Sequence, residues 1–233
     1  MRVRRLLAAL PLVAAALLAA QPAYAQVEVP DDCAVPPFVD LSQYNIIIGT
    51  NQSEVLRGTN GPDFICALLG DDVIFGRGGG DLILGDTTTF FGIVDAEGGN
   101  DTVFAGAGDD EVLPGPGNDV VHGEDGNDFL ALAVGNDIGH GGPGADTIIG
   151  GFGRDVINGG AGGDFLAGGP DNDVINGGPG DDFLAGELPP DSDPPPPGVE
   201  LPPPATNDVC VGAGGFDVVF ECDVTAAIEA VEG

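Results

Sequence analysis

Lysine and tryptophan are absent from this 233-residue chain, and arginine occurs only six times. Arg2, Arg4 and Arg5 crowd the first five residues, leaving Arg57, Arg77 and Arg154 against 38 Asp plus Glu. A chain so poor in cations cannot neutralise a phosphate backbone, which excludes nucleic-acid binding through clustered Lys and Arg. Anionic membrane surfaces repel it for the same reason. Beyond Leu6–Ala20 no long apolar run exists, so membrane insertion is not expected. Acidic chains with few aromatics are commonly disordered. Here the acids are periodic and do not form a block, so disorder is the expectation only for the unliganded chain.

Catalytic signatures are missing too. There is no His-Glu-x-x-His, and Ser42, Ser53 and Ser192 sit in polar, loop-like stretches without a Gly-x-Ser-x-Gly elbow. Gly-x-Gly strings abound, but no helix pattern follows them, and the flanking aspartates would repel phosphate. The reading is that the chain is not an enzyme, with no catalytic residue assigned. A hydrolase with an unrecognised site is the weaker alternative.

The leader is legible. Three arginines, the apolar Leu6–Ala20 and the small-x-small Ala23-Tyr24-Ala25 predict a secretory signal peptide over residues 1–25 and a secreted, extracellular protein. Four cysteines in such a chain predict two disulfides out of three pairings. Proximity favours Cys210 with Cys222 and leaves Cys33 with Cys66.

What is abundant is glycine, in register with aspartate. From Asp63 to Asp182 one unit recurs, Gly-Gly-x-Gly-x-Asp-x-apolar-x. Thirteen units carry Asp at position six, twelve carry Gly at position four (Asp171 is the exception), and twelve carry Val, Ile or Leu at position eight (Gly139 is the exception). The glycines permit a tight turn. The residues after each Asp suit a three-residue strand whose position eight points inward. So short a unit buries its apolar residue only by stacking. Two units make an 18-residue coil, so Asp101, Asp119, Asp137, Asp155 and Asp173 form one column and Asp110, Asp128, Asp146, Asp164 and Asp182 the other. Between turns lie carboxylates and carbonyls, all hard oxygens of the kind calcium takes six to eight at a time. His122 and His140 both fall at position nine, outward and 18 residues apart, one above the other. They fall short of the three or four ligands of a zinc site.

This tandem pattern resembles the RTX (repeats-in-toxin) calcium-binding nonapeptide family, over 49–185 and again 207–220. The resemblance implies an all-β fold, a right-handed parallel β-roll, with several Ca2+ held by position-six Asp and glycine-loop carbonyls. Carried over, the metal residues are Asp63, Asp81, Asp101, Asp110, Asp119, Asp128, Asp146, Asp155, Asp164, Asp173 and Asp182, with Gly108, Gly117, Gly126, Gly144, Gly153, Gly162 and Gly180. Asp72 and Asp137 are set aside because Ala67-Leu68-Leu69 and Leu132-Ala133-Val134 replace their loop glycines. About eight to ten ions follow from bridging adjacent same-side turns. The resemblance is to the small secreted variety without a catalytic domain. It implies a structural or interaction module for an unidentified extracellular protein or polysaccharide, with a cell-surface or matrix adhesin as the alternative.

The domain expectation is a cap over 26–48, a roll over 49–185 with an insertion at 85–95 exposing Phe90 and Phe91, a Pro-rich linker over 186–206, and a repeat pair with cap over 207–233. Asp81 and Asp101 are 20 residues apart, two more than two units. Ile47 and Leu56 keep the phase of the core slot, so the roll starts in degenerate units. Nine prolines in Glu187–Thr206 exclude sheet pairing there. Val224–Val231 is expected to form a short helix, and the Cys33–Cys66 bridge to hold the leading segment over the open first coil.

Overall fold

A computed structural model describes Cys33 and residues 39–86, 98–186, 209–212, 218–220, 222 and 224–225. The predicted leader, Phe90 and Phe91, and the Pro-rich 187–206 lie outside the described residues. Within them a short 3-10 turn (Leu41–Gln43) precedes eighteen strands: β1 (Asn45–Ile48), β2 (Val55–Arg57), β3 (Asp63–Cys66), β4 (Val73–Gly78), β5 (Leu82–Leu84), β6 (Thr102–Ala107), β7 (Glu111–Leu113), β8 (Val120–Asp125), β9 (Phe129–Ala131), β10 (Ile138–Pro143), β11 (Thr147–Ile149), β12 (Val156–Ala161), β13 (Phe165–Ala167), β14 (Val174–Asn176), β15 (Phe183–Ala185), β16 (Val209–Val211), β17 (Val218–Phe220) and β18 (Val224–Thr225). Odd-numbered strands form one nine-stranded sheet and even-numbered strands the other, every pair parallel. The chain therefore alternates between two walls of a β-solenoid, one unit per wall.

The register is that of the repeat. Ile148 pairs with Leu166 and Leu166 with Leu184 on one wall; Ile157 pairs with Ile175 on the other. Position eight is buried throughout, and these aliphatic residues line a single core from Leu56 to Leu184, with Ile47 at its start. Gly139 leaves a gap in that column, and Leu132 fills it from position one of the same unit. A Cβ on Gly139 would lie 3.0 Å from Leu132 Cδ1. The loop that looks defective in sequence thus supplies the missing core residue.

Three findings refine the expected layout. Across β4–β6 and β5–β7 the pairing offset is 29 residues where it is 18 in the other pairs from β1 to β15, so Asp81 and Asp101 belong to consecutive units and eleven extra residues separate them in the chain. Gly85 and Asp86, placed in the 85–95 insertion by sequence spacing, lie instead in the wall, donating their N–H groups to Leu113 O and Pro114 O. The C-terminal piece continues the roll: β16 pairs with β14 and β17 with β15. Val224 and Thr225, expected to begin a helix, form β18 against β16, because the register that brings Cys210 beside Thr225 extends the ladder.

Both disulfides form as proximity favours, Cys33–Cys66 and Cys210–Cys222. The first does not close the coil end. Cys33 packs with Phe64, Cys66, Leu82 and Leu84, all on the outer face of the odd-numbered sheet, joined by Val39, Leu41 and Tyr44. Positions seven and nine are apolar there, so an outer face that would otherwise meet water is covered by the leading segment.

Candidate metal centre

Strand alternation that sends position eight inward also sends position six inward, so every aspartate from Asp63 to Asp182 in this series is buried. One carboxylate oxygen of each is occupied by backbone. Asp63 N–H donates to Asp81 Oδ1, Asp81 to Asp110, Asp110 to Asp128, Asp128 to Asp146, Asp146 to Asp164 and Asp164 to Asp182, at 2.7–2.9 Å. The other wall repeats this from Glu54 N–H through Asp72, Asp101, Asp119, Asp137 and Asp155 to Asp173, also at 2.7–2.9 Å. Two uninterrupted ladders of aspartate run along the roll.

The second oxygen is different. Oδ2 of Asp72, Asp81, Asp101, Asp110, Asp119, Asp128, Asp137, Asp146, Asp155 and Asp164 is buried without a hydrogen-bond partner. A buried carboxylate oxygen with no donor is costly. Burial accordingly raises these carboxyls from their ordinary 3.8: Asp101 to about 8, Asp110, Asp119 and Asp137 to about 7, and Asp72, Asp81, Asp128, Asp146 and Asp155 to about 6. Asp164 is raised for the same reason. The N–H bond from the preceding coil opposes the shift and falls short of cancelling it.

Carbonyl oxygens accompany these carboxylates. A Cβ on Gly141 would collide with Asp146 Oδ2 and lie 2.5 Å from Gly159 O; at Gly123 the atoms are Asp128 Oδ2 and Gly141 O, and at Gly159 they are Asp164 Oδ2 and Gly177 O. At position four the carbonyl of one coil faces the glycine of the next: Gly108 O meets Gly126, Gly126 O meets Gly144, Gly144 O meets Gly162 and Gly162 O meets Gly180. The opposite edge has the series Gly99, Gly117, Gly135, Gly153. Any side chain there would strike backbone, and Gly108, Gly153 and Gly162 also hold φ of 138°, 120° and 144°. Among the described residues no three His, Cys, Asp or Glu side chains converge on a common metal position. A cation in these turns must therefore take part of its shell from these carbonyls, an all-oxygen set suited to calcium and unsuited to metals that prefer nitrogen or sulfur.

The family model described as RTX calcium-binding nonapeptide repeat (4 copies) matches residues 48–85, 93–121, 115–139, 133–166, 140–175 and 159–188, more than half of the chain. The chain belongs to the RTX repeat family. No curated protein matches it. Calcium binding by these repeats is a property of the family, and the donor set of this RTX roll fits that ion.

The structure distributes the sequence-derived residues unevenly. Asp81, Asp101, Asp110, Asp119, Asp128, Asp146, Asp155 and Asp164 share the same environment, and Asp173 and Asp182 continue the two ladders. Asp63 stands apart: Oδ1 accepts from Asn45 Nδ2, and Oδ2 accepts from Thr59 N–H and Oγ1, so its oxygens are already used. Asp72 and Asp137, set aside for their loops, have the same buried unpartnered oxygen as Asp81 and Asp101. Leu68 and Ala133 replace glycine at position two of those loops by adopting φ of 73° and 80°. Two features were missed. Asp86 is buried although it lies outside position six. Asn and Asp at position five form a further exposed ladder, Asn136 N–H to Asn118 Oδ1 and Asn118 N–H to Asn100 Oδ1, a signal present in sequence as recurrent Asn or Asp just before the position-six Asp. His122 and His140 stack with centroids 4.9 Å apart, as their spacing implied.

Proposed function

We propose that this protein is a secreted calcium-binding module whose roll folds as its turns take up several Ca2+ ions and whose walls then serve as a structural or interaction surface. The observation that carries this is the pair of aspartate ladders in which ten carboxylates, from Asp72 to Asp164, keep one buried oxygen without a donor. Without a cation those like charges and unsatisfied oxygens oppose folding, and the thin aliphatic column has little reserve against chain entropy of about 1–2 kcal/mol per ordered residue. A divalent cation bound only by the folded state stabilises it by mass action. Magnesium, smaller and reluctant to shed water, substitutes poorly. The leader composition and the two disulfides support an oxidising, extracellular setting.

Far-UV circular dichroism of the chain lacking residues 1–25, titrated with calcium and separately with magnesium, tests this. A cooperative gain of β signal with calcium alone is expected; a fully folded chain in excess chelator overturns the reading.

One observation favours an adhesin as a second reading. Position nine of the even-numbered sheet presents Arg57 over Phe75, then Phe75, Phe104, His122 and His140 stacked at 4.9–5.2 Å. Position seven beside it exposes Val55, Ile138, Val156 and Val174. A flat, regular face of this kind suits contact with an extended polymer. Retention on polysaccharide beads in calcium that is lost in chelator supports it, and equal retention in both sets it aside.

A further inference from the structure

Asp86 belongs to no position-six series, yet it is 1% exposed. It occupies position two of the unit that the eleven-residue insertion splits: Gly85 and Asp86 precede the insertion, and Gly98, Gly99, Asn100 and Asp101 follow it. Elsewhere position two is glycine, a small or left-handed residue, or the exposed Glu124, so no other unit places a buried acid there among the described residues. Asp86 Oδ2 accepts from Gly99 N–H at 2.6 Å, which ties the two sides of the split turn together. Its Oδ1 is buried and makes no well-formed hydrogen bond, the Gly70 N–H being the one other backbone donor that acts on this carboxyl.

The surroundings are rich in oxygen. A Cβ on Gly85 would collide with both Asp101 Oδ2 and Pro114 O; a Cβ on Gly98 would collide with both Asp86 Oδ2 and Pro116 O. Gly115, between those prolines, has its Cβ position 2.7 Å from Asp86 Cβ, so Asp86 lies directly beneath the Pro114–Pro116 turn of the next coil. Asp101 Oδ2 is itself buried without a partner. Two carboxylates, each with a buried oxygen that makes no well-formed hydrogen bond, and two backbone carbonyls thus gather around one split turn. The charge of Asp86 also acts on Asp101 and Asp119, placing it within the field of that ladder. Ser53, Leu69, Gly70, Asp71, Gly98 and Gly99 line a surface recess alongside, which gives solvent a route to the turn.

We propose that Asp86 adds a carboxylate ligand, which the nonapeptide repeat does not supply, to a calcium ion held with Asp101 and the carbonyls of Pro114 and Pro116, closing the roll across its insertion. The proposal rests on the calcium reading above. Its chemistry is specific to a hard divalent cation: two anionic oxygens and two carbonyls, with no nitrogen or sulfur. The ion would do at the split turn what glycine and ladder geometry do elsewhere, fixing Gly85–Asp86 against Gly98–Asp101.

The test counts ions. The chain lacking residues 1–25 is folded in calcium, and its bound ions are counted by native mass spectrometry and by calorimetric titration, for wild type, Asp86→Asn and the exposed-charge control Glu111→Gln. Asp86→Asn is expected to carry one ion fewer than wild type, while Glu111→Gln carries the full number. An unchanged count in Asp86→Asn overturns the proposal and leaves the general calcium reading intact. A wild type that binds no calcium overturns both. If Asp86→Asn fails to fold in saturating calcium, Asp86→Gly, which restores the residue of the repeat, takes its place. Failure of both variants to fold also counts against the proposal, because losing one ion of several leaves the roll standing.

Discussion

The first coil and the coils of residues 141–185 share an interior and differ in what holds their turns. Both contribute aliphatic residues to one buried column, Ile47, Leu56 and Ile65 in the first, Ile148 to Leu184 in the second. In the first coil, however, threonine stands at position two. Thr50 N–H donates to Glu54 Oε1 and Thr59 N–H to Asp63 Oδ2, so the acid of each turn is satisfied by its own loop. The outer face there is covered by the Cys33-linked cap. In the later coils position two is a left-handed glycine, as at Gly142 and Gly160, and the carboxylates of Asp146, Asp155 and Asp164 keep an unpaired oxygen. Nothing among the described residues covers Phe165, Val156 or Val174 on their outer faces, which remain exposed. A turn of this roll can thus be closed by protein donors or left open for a cation. The first coil uses the former, and the later coils have the open form that the proposed calcium sites require.

Calcium removal separates the two most strongly. In excess chelator, hydrogen exchange is expected to show the amides of 98–186 losing protection nearly completely while those of 45–66 retain part of theirs. Equal loss in both regions would break the distinction, and equal retention would mean that calcium does not stabilise the roll. Acid should then substitute for the ion. Burial raises the folded-state pKa of these carboxyls from 3.8 to values between about 6 and about 8. A raised acid favours the fold fully below its unfolded value and loses that contribution as pH rises through the folded one. The chelated chain should therefore gain β signal as pH falls from about 8 to about 4, with the gain in the later coils. A flat signal over that range, or a loss, contradicts the assignment of buried unpaired carboxylates.

Loss of the cap should have the next largest effect. Cys33 and Cys66 are 33 residues apart, and closing a loop of that length contributes about 3–4 kcal/mol if chain entropy alone operates. Replacing both by serine should lower stability by that order in calcium and abolish the chelator-resistant protection of 45–66. Unchanged protection would mean that Thr50 and Thr59 suffice by themselves.

The repeat made the two walls, the aliphatic column and the aspartate ladders legible, because each depends on a position within nine residues and on stacking at 18. What escaped depends on contacts between units. Leu132 reads as a damaged loop until the gap at Gly139 beside it is seen. The apolar face formed by Phe64, Leu82 and Leu84 has no meaning in a nonapeptide pattern until a cap is placed on it. Spacing also misplaced the edge of the insertion: a slip of two residues is indistinguishable in sequence from one of eleven, and only the pairing of Ile74 with Val103 decides between them. Asp86 was hidden by the same ambiguity.

The smallest effect probes the two regions most finely, because it changes sign between them. Leu68 in the early coils and Ala133 in the later ones occupy the same loop position with φ of 73° and 80°, a conformation that costs a residue with a Cβ about 1–2 kcal/mol. Glycine removes that strain but adds freedom to the unfolded chain, a loss of about 0.5–1 kcal/mol. Ala133 is not part of either apolar cluster, so Ala133→Gly should be stabilising by about 0.5–1 kcal/mol in calcium. Leu68 packs against the capped outer face, and its removal forfeits apolar burial of about 1–2 kcal/mol, so Leu68→Gly should be destabilising. Thermal unfolding of the two variants reads the signs directly. If both are stabilised, the cap contributes little through Leu68. If both are destabilised, strain at position two is relieved elsewhere in the turn, and the loops of the two regions are more alike than their hydrogen bonds indicate.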